Sequence, residues 1–119
     1  MSDLIIENLQ DSILKTTLNN PSQQNTLSLD FINNLKKIID EADKNDDVKV
    51  IILSSSGKVF SAGHNLKEIK SHREDKDQGL QFFTTLINSC SDLMINIINN
   101  SKPIIAEVSG IATAAGCQL

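Results

Sequence analysis

Two stretches rich in small residues, Val59–Glu68 and Val108–Leu119, hold the residue types and spacing from which chemistry can be built. Each follows a run that reads as a β-strand. In open α/β sheets, ligands collect in the crevice beyond the carboxyl ends of the strands, where small residues let the backbone approach closely. Ala115 is expected in the first turn of a helix, so its N–H lacks an intrahelical partner and lies at the positive end of the helix dipole. Such a donor suits an oxygen on which negative charge develops. No metal-ligand spacing links His64, His72, Cys90 and Cys117.

The elements that must position these turns follow from periodicity. Leu4 to Leu9 and Ser12 to Leu18 read as a β-hairpin broken at Gln10 and Asp11, and Asn19 to Asn25 as a loop. Ser28 is placed to cap a helix whose Phe31, Leu35, Ile38, Ile39 and Ala42 recur at three- and four-residue steps, and Asp43 to Asp47 ends it. Val48 to Leu53 has the continuous branched character of a strand covered on both faces. Ser54 to Lys58 is a turn, Val59 to Gly63 a short tight segment, and Leu66 to Lys70 one or two helical turns. Ser71 to Gln78 has no apolar residue, which predicts a solvated or mobile loop with His72 at the surface.

A long helix is predicted over Leu80 to Ile98, with Leu80, Phe83, Ile87, Cys90, Met94, Ile97 and Ile98 on its buried face. Phe82 and Phe83 fit that helix's core. Ile104 to Val108 reads as a second buried strand, within which Glu107 needs a partner, a sheet edge or a subunit contact. The alternation of strands and helices predicts an α/β fold. Ala112 to Leu119 opens a helix that stops after little more than a turn, so the expectation is a fragment or a truncated chain.

The chain has 119 residues, 39% hydrophobic and 22% charged, with a net charge of −4, which fits a globular chain of at most one domain. The acidic balance, without a basic stripe, argues against nucleic acid as a partner. No apolar run approaches the roughly 20 residues that span a bilayer, and Met1 to Gln10 lacks a basic region followed by an apolar stretch, so neither membrane contact nor a leader is expected. Cys90 and Cys117 lie on apolar helix faces and read as packed thiols in a reducing compartment, with the cytoplasm as the default.

Three motifs point further. Phe60-Ser61-Ala62-Gly63-His64-Asn65-Leu66-Lys67-Glu68 resembles the F-x-A-G-x-D-L-x-E motif of the crotonase (enoyl-CoA hydratase/isomerase) family. Asn20-Pro21 with Asn25 and Leu27 resembles that family's N-P-x-x-x-N-x-L loop, and Lys102 to Ala106 through Gly110 to Gly116 resembles its K-P-x-I-A…G-x-x-x-G-G-G segment. The motifs occur in the family's order and cover essentially the whole chain.

The resemblance implies a crotonase-like ββα spiral fold, incomplete here, with residues 1–119 as the N-terminal portion of one such domain. It implies an acyl-CoA thioester as ligand, coenzyme A being part of the substrate and no separate cofactor being required. The backbone N–H groups of His64 and Ala115 would form the oxyanion hole. Ala62, Leu66 and Lys67 would meet the CoA portion, Lys67 through a phosphate. Family members form trimers or paired trimers, so a homo-oligomer is expected.

Gln118 stands where hydratases place a catalytic Glu, and a neutral amide cannot act as a general base. Asn65 replaces the usual Asp, and Ala114-Ala115 replaces Gly-Gly. No sequence-adjacent carboxylate supports the His64 imidazole as a base, so His64 is read as contributing its backbone, and Glu68 as a helix-surface carboxylate. Three readings follow: an enoyl-CoA hydratase or isomerase, a catalytically weak acyl-CoA binding homologue, and an inactive truncated piece.

Overall fold

The computed structural model describes residues 4–119, so the expectation drawn from Met1 to Gln10 lies partly outside it. The hairpin is present: β1 (Ile5–Gln10) pairs antiparallel with β2 (Ile13–Leu18). Asp11 and Ser12 close it with φ of 54° and 66°. Positive φ at both central residues is the turn whose twist matches that of the strands it joins.

Helix α1 (Leu29–Lys44) starts where Ser28 accepts the Phe31 N–H at 3.2 Å, and it buries Phe31, Ile32, Leu35, Ile39 and Ala42. Its far end is held by Lys102, whose Nζ donates to the carbonyls of Ala42 and Asn45. A cation on the last free carbonyls of a helix complements the dipole there. The lysine of the Lys102-Pro103 pair is thus a structural cap.

The main sheet runs β1-β2-β3-β5, with β3 (Val50–Ser55) parallel to both β2 and β5 (Ile104–Ala106). Neither β3 nor β5 is covered on both faces, contrary to expectation. In β3, Ile51 and Leu53 are buried while Val50 and Ile52 are only half-buried, so the helices cover one face and the other is more open. Strand β5 lies at the sheet edge, with Ile105 53% exposed. Its neighbour Glu107 is exposed, with Lys15 at 4.0 Å.

A separate parallel pair joins β4 (Val59–Ser61) to β6 (Ile111–Ala112). Short helices follow each strand, α2 (Leu66–Ser71) after β4 and α4 (Ala115–Gln118) after β6.

Between them, α3 (Leu80–Asn99) packs on α1 through Leu86, Cys90 and Leu93, with Phe82, Met94 and Ile97 half-buried beside the same core. The expected face is rotated: Leu80, Phe83, Ile87 and Ile98 are exposed. The helix carries apolar residues over more than half its circumference, so spacing alone selects no unique face.

The Ser71 to Gln78 segment is more ordered than expected. His72–Glu74 forms a single 3-10 turn, and the half-buried His72 ring stacks on Phe82 with centroids 3.7 Å apart and donates from Nδ1 to Asp75 Oδ2 at 2.8 Å. Asp77 accepts the N–H groups of Gly79 and Gln81 at the start of α3. The Gln81 N–H chiefly holds the Asp77 carboxyl below the usual carboxylate range. Because the folded value is the lower one, this contribution to stability is in place above the unfolded value and is lost as pH falls through the folded one. An Asp77→Asn variant is therefore expected to narrow the gap in urea midpoint between neutral and acidic pH.

Cys90 is buried, and burial pushes its thiol up; Cys117 is exposed, which corrects the expectation of a packed thiol. The helix that was to bury Cys117 is only four residues long. Cys117 is expected to react promptly with a thiol reagent in the native chain and Cys90 only on unfolding; Cys117→Ser should abolish the prompt phase. No helix among the described residues is long and apolar enough to cross a membrane, and none of their His, Cys, Asp and Glu side chains group as metal ligands do.

Candidate functional site

Because β4 and β6 run parallel, the chain leaves both strands at the same end. The turn at Gly63-His64 and the turn at Ala114-Ala115 therefore emerge side by side. Thr113 N–H donates to Ser61 O at 3.0 Å and Thr113 Oγ1 to Ala62 O at 3.4 Å, tying the two turns together.

Glycine is required at both contact points. Gly63 has φ +91°, and a Cβ there would lie 3.0 Å from Ala114 Cβ and 3.3 Å from Ala115 N. A Cβ on Gly116 would stand 2.3 Å from Ser61 O. Only backbones without side chains come this close.

The Gly63 turn is shaped by a buried polar network. Asn25, fully buried, donates from Nδ2 to Ser56 O at 3.1 Å and to Val59 O at 2.9 Å, and its Oδ1 accepts Asn20 N–H at 2.7 Å. Ser61 Oγ donates to Asn25 O at 2.9 Å and accepts Gly63 N–H at 3.3 Å. Leu27 N–H reaches Gly63 O at 2.7 Å, and Ala62 N–H reaches Gln24 O at 3.1 Å. A buried carboxamide with its hydrogen bonds filled fixes three chain segments at once. The sequence reading matched Asn25 to a motif without a role, and nothing in residue type alone reveals these partners.

Within this frame, the backbone N–H groups of His64 and Ala115 have no acceptor among the described residues. Ala115 is the first residue of α4 and is buried; Ala114 before it has φ 51° and ψ −128°, with no side-chain cap. That conformation is one in which an L-residue is strained by about 1–3 kcal/mol. Ala114→Gly is expected to raise unfolding stability by about 1 kcal/mol, read as a higher urea midpoint at unchanged slope.

Helix α2 is anchored differently from expectation. Asn65 caps it, accepting Glu68 N–H at 3.1 Å, and Asn65 Nδ2 donates to Gln23 Oε1 at 3.2 Å. Glu68 is not a free surface carboxylate: Oε1 accepts the Leu29 N–H at 3.1 Å, so it serves the first turn of α1.

A cavity of about 660 Å³ opens between the loop 22–26 and the segment 62–68, with Gln23, Gln24, Thr26, Ala62, His64 and Lys67 in its wall. Leu66 also lines it and is 75% exposed. The structure thus brings Ala62, His64, Leu66 and Lys67 to one cavity and sets Ala115 against the neighbouring glycine. Gln118 is exposed at the end of α4 and does not line the cavity. A second depression, about 530 Å³, lies by His72, Asp75 and Phe82 and holds none of these residues.

The family described as enoyl-CoA hydratase/isomerase matches residues 8–119. The chain is 44% identical over 110 residues to the rat protein named enoyl-CoA hydratase domain-containing protein 3, mitochondrial, covering 92% of this chain and 35% of that protein. It is 32% identical to an Arabidopsis thaliana protein named Delta(3,5)-Delta(2,4)-dienoyl-CoA isomerase, peroxisomal, covering 98% of this chain and 44% of that one. The crystal structure of human enoyl-CoA hydratase domain-containing protein 3 superposes with a TM-score of 0.88 at 39% identity, covering 98% of this chain and 44% of that structure's chain.

The chain therefore spans about a third of the length of the rat relative it matches. The cytoplasmic expectation is overturned, since the rat and human relatives are named mitochondrial. It had rested on composition and thiol usage, which do not separate one reducing compartment from another. On the match over residues 8–119, the chain belongs to the enoyl-CoA hydratase/isomerase family.

Proposed function

We propose that this chain holds an acyl-CoA thioester, with the carbonyl oxygen between the backbone N–H groups of His64 and Ala115, as part of an acyl-CoA-processing hydratase or isomerase. The observation that carries the reading is the pair of unpaired N–H groups, on turns that follow two parallel strands and meet at Gly63. A thioester carbonyl gains negative charge as an enolate or tetrahedral species forms, and each fixed donor aimed at that oxygen is worth about 3 kcal/mol. In this reading Ala62, Leu66 and Lys67 meet the CoA portion along the cavity, and coenzyme A enters as part of the substrate.

Gln118 favours a second reading. Its amide neither takes nor gives a proton at neutral pH, so this chain offers two donors for the oxygen but no base at the family's Glu position. A catalytically weak acyl-CoA binding homologue fits that inventory. Self-association, expected of the family, is supported by the exposed apolar stripe of Leu80, Phe83, Ile87 and Ile98 on α3.

Titration calorimetry with butyryl-CoA, alongside an assay of crotonyl-CoA hydration, tests the proposal. Saturable binding of butyryl-CoA is the expected result, and turnover then separates catalyst from binder. Affinity for butyryl-CoA no greater than for ADP would sink the thioester reading.

A further inference from the structure

Four side-chain polar atoms among the described residues are shut off from water without a hydrogen-bond partner, and two of them, His64 Nδ1 and Thr26 Oγ1, belong to residues that line the cavity between the loop 22–26 and the segment 62–68. An unpaired buried polar atom costs free energy, and native chains keep few. Thr26 and His64 lie on different loops, joined where Leu27 and His64 form an isolated bridge.

Both occupy positions that the family's motifs leave open, the x of N-x-L and the x of G-x-D. Neither side chain builds the loops, whose bonds come from backbone, Asn25 and Ser61. One torsion relocates each atom. A half-turn of the imidazole about χ2 exchanges Nδ1 with Cδ2, and a χ1 step relocates the threonine hydroxyl, both without backbone change.

We infer that the His64 and Thr26 side chains are specificity contacts that turn into the cavity when ligand enters and hydrogen-bond the amide-bearing arm of a CoA thioester. The inference rests on the thioester reading above and extends it: His64 then serves the ligand with its ring as well as its backbone. The walls decide which part of the ligand is read. Gln23, Gln24, Ala62 and Lys67 line the cavity while Ala115 and Gln118 do not, so it extends from His64 away from the second turn. On that side the ligand part next to the sulfur is the arm, whose amides carry both donors and acceptors.

Thr26→Val and His64→Leu remove the polar atoms at similar volume and leave both backbone N–H groups in place. Each is expected to weaken binding of free coenzyme A and of butyryl-CoA by about tenfold, the worth of one good hydrogen bond. The ligand-free variants should unfold at the same or a higher urea concentration, because the atom removed had no partner. His64→Asn, which places a polar atom where Nδ1 stands, should restore affinity to within about threefold, whereas His64→Gln, which places it near Nε2, should not.

Wild-type chain that binds neither probe overturns the thioester reading and this inference with it. Wild-type affinity that both variants leave unchanged overturns the inference alone. So does a loss confined to butyryl-CoA, which assigns the contacts to the acyl portion, or a loss accompanied by a lower unfolding midpoint, which makes the role structural.

Discussion

Replacing Asn25 with alanine is expected to destabilise the chain by about 3–5 kcal/mol, because three half-buried backbone groups lose their fully buried partner together. The carboxamide is the acceptor for Asn20 N–H and the donor to Ser56 O and Val59 O. Each orphaned buried group costs about 1–3 kcal/mol, and water entering the gap offsets part of the sum. Asn25→Asp should be at least as damaging at neutral pH, since a carboxylate has no hydrogen to give either carbonyl. Urea unfolding measures both; a loss below about 1 kcal/mol for Asn25→Ala would show that the network does not hold the loops.

Gly116→Ala is the second large effect, and its sign runs against local propensity. Gly116 lies inside α4, where alanine is favoured over glycine by about 1 kcal/mol in a helix. Yet its Cβ would sit 2.3 Å from Ser61 O and 2.7 Å from Ser61 Cβ, and the nearest atom is backbone that cannot swing aside. Relief requires α4 to move off β4. Overpacking of this kind costs about 1–3 kcal/mol, and the same movement carries Ala115 N–H away from the Gly63 turn. Stability and butyryl-CoA affinity should therefore fall together. A variant as stable as wild type, binding equally well, would mean that the close approach does not matter.

The parts of this fold that were legible in the sequence are those where one interaction dominates. In α1 a single apolar stripe and a serine cap agree, and Ser28 and the buried face of Phe31, Leu35, Ile39 and Ala42 stand as read. In α3 the apolar residues exceed what one face holds, and which of them is buried depends on α1, a partner remote in sequence. The edge position of β5 is likewise a property of strand order, to which local branching is blind.

At the site, the motifs located the turns, but their geometry came from elsewhere. The positive φ of Ala114, the reach of Glu68 to Leu29 and the bonds of Asn25 to Ser56 and Val59 all depend on long-range contacts. Cys117 was misread because a helix this short buries one side only. The compartment was misread because neither composition nor thiol usage encodes it.

Nuclear magnetic resonance reads the amide hydrogens of His64 and Ala115 directly. With isotope-labelled chain, addition of butyryl-CoA should move the amide proton resonances of both His64 and Ala115 downfield in step with saturation, as new hydrogen bonds to the thioester oxygen form. Saturable binding that leaves those two resonances where they were would contradict the pairing of these donors with the thioester oxygen.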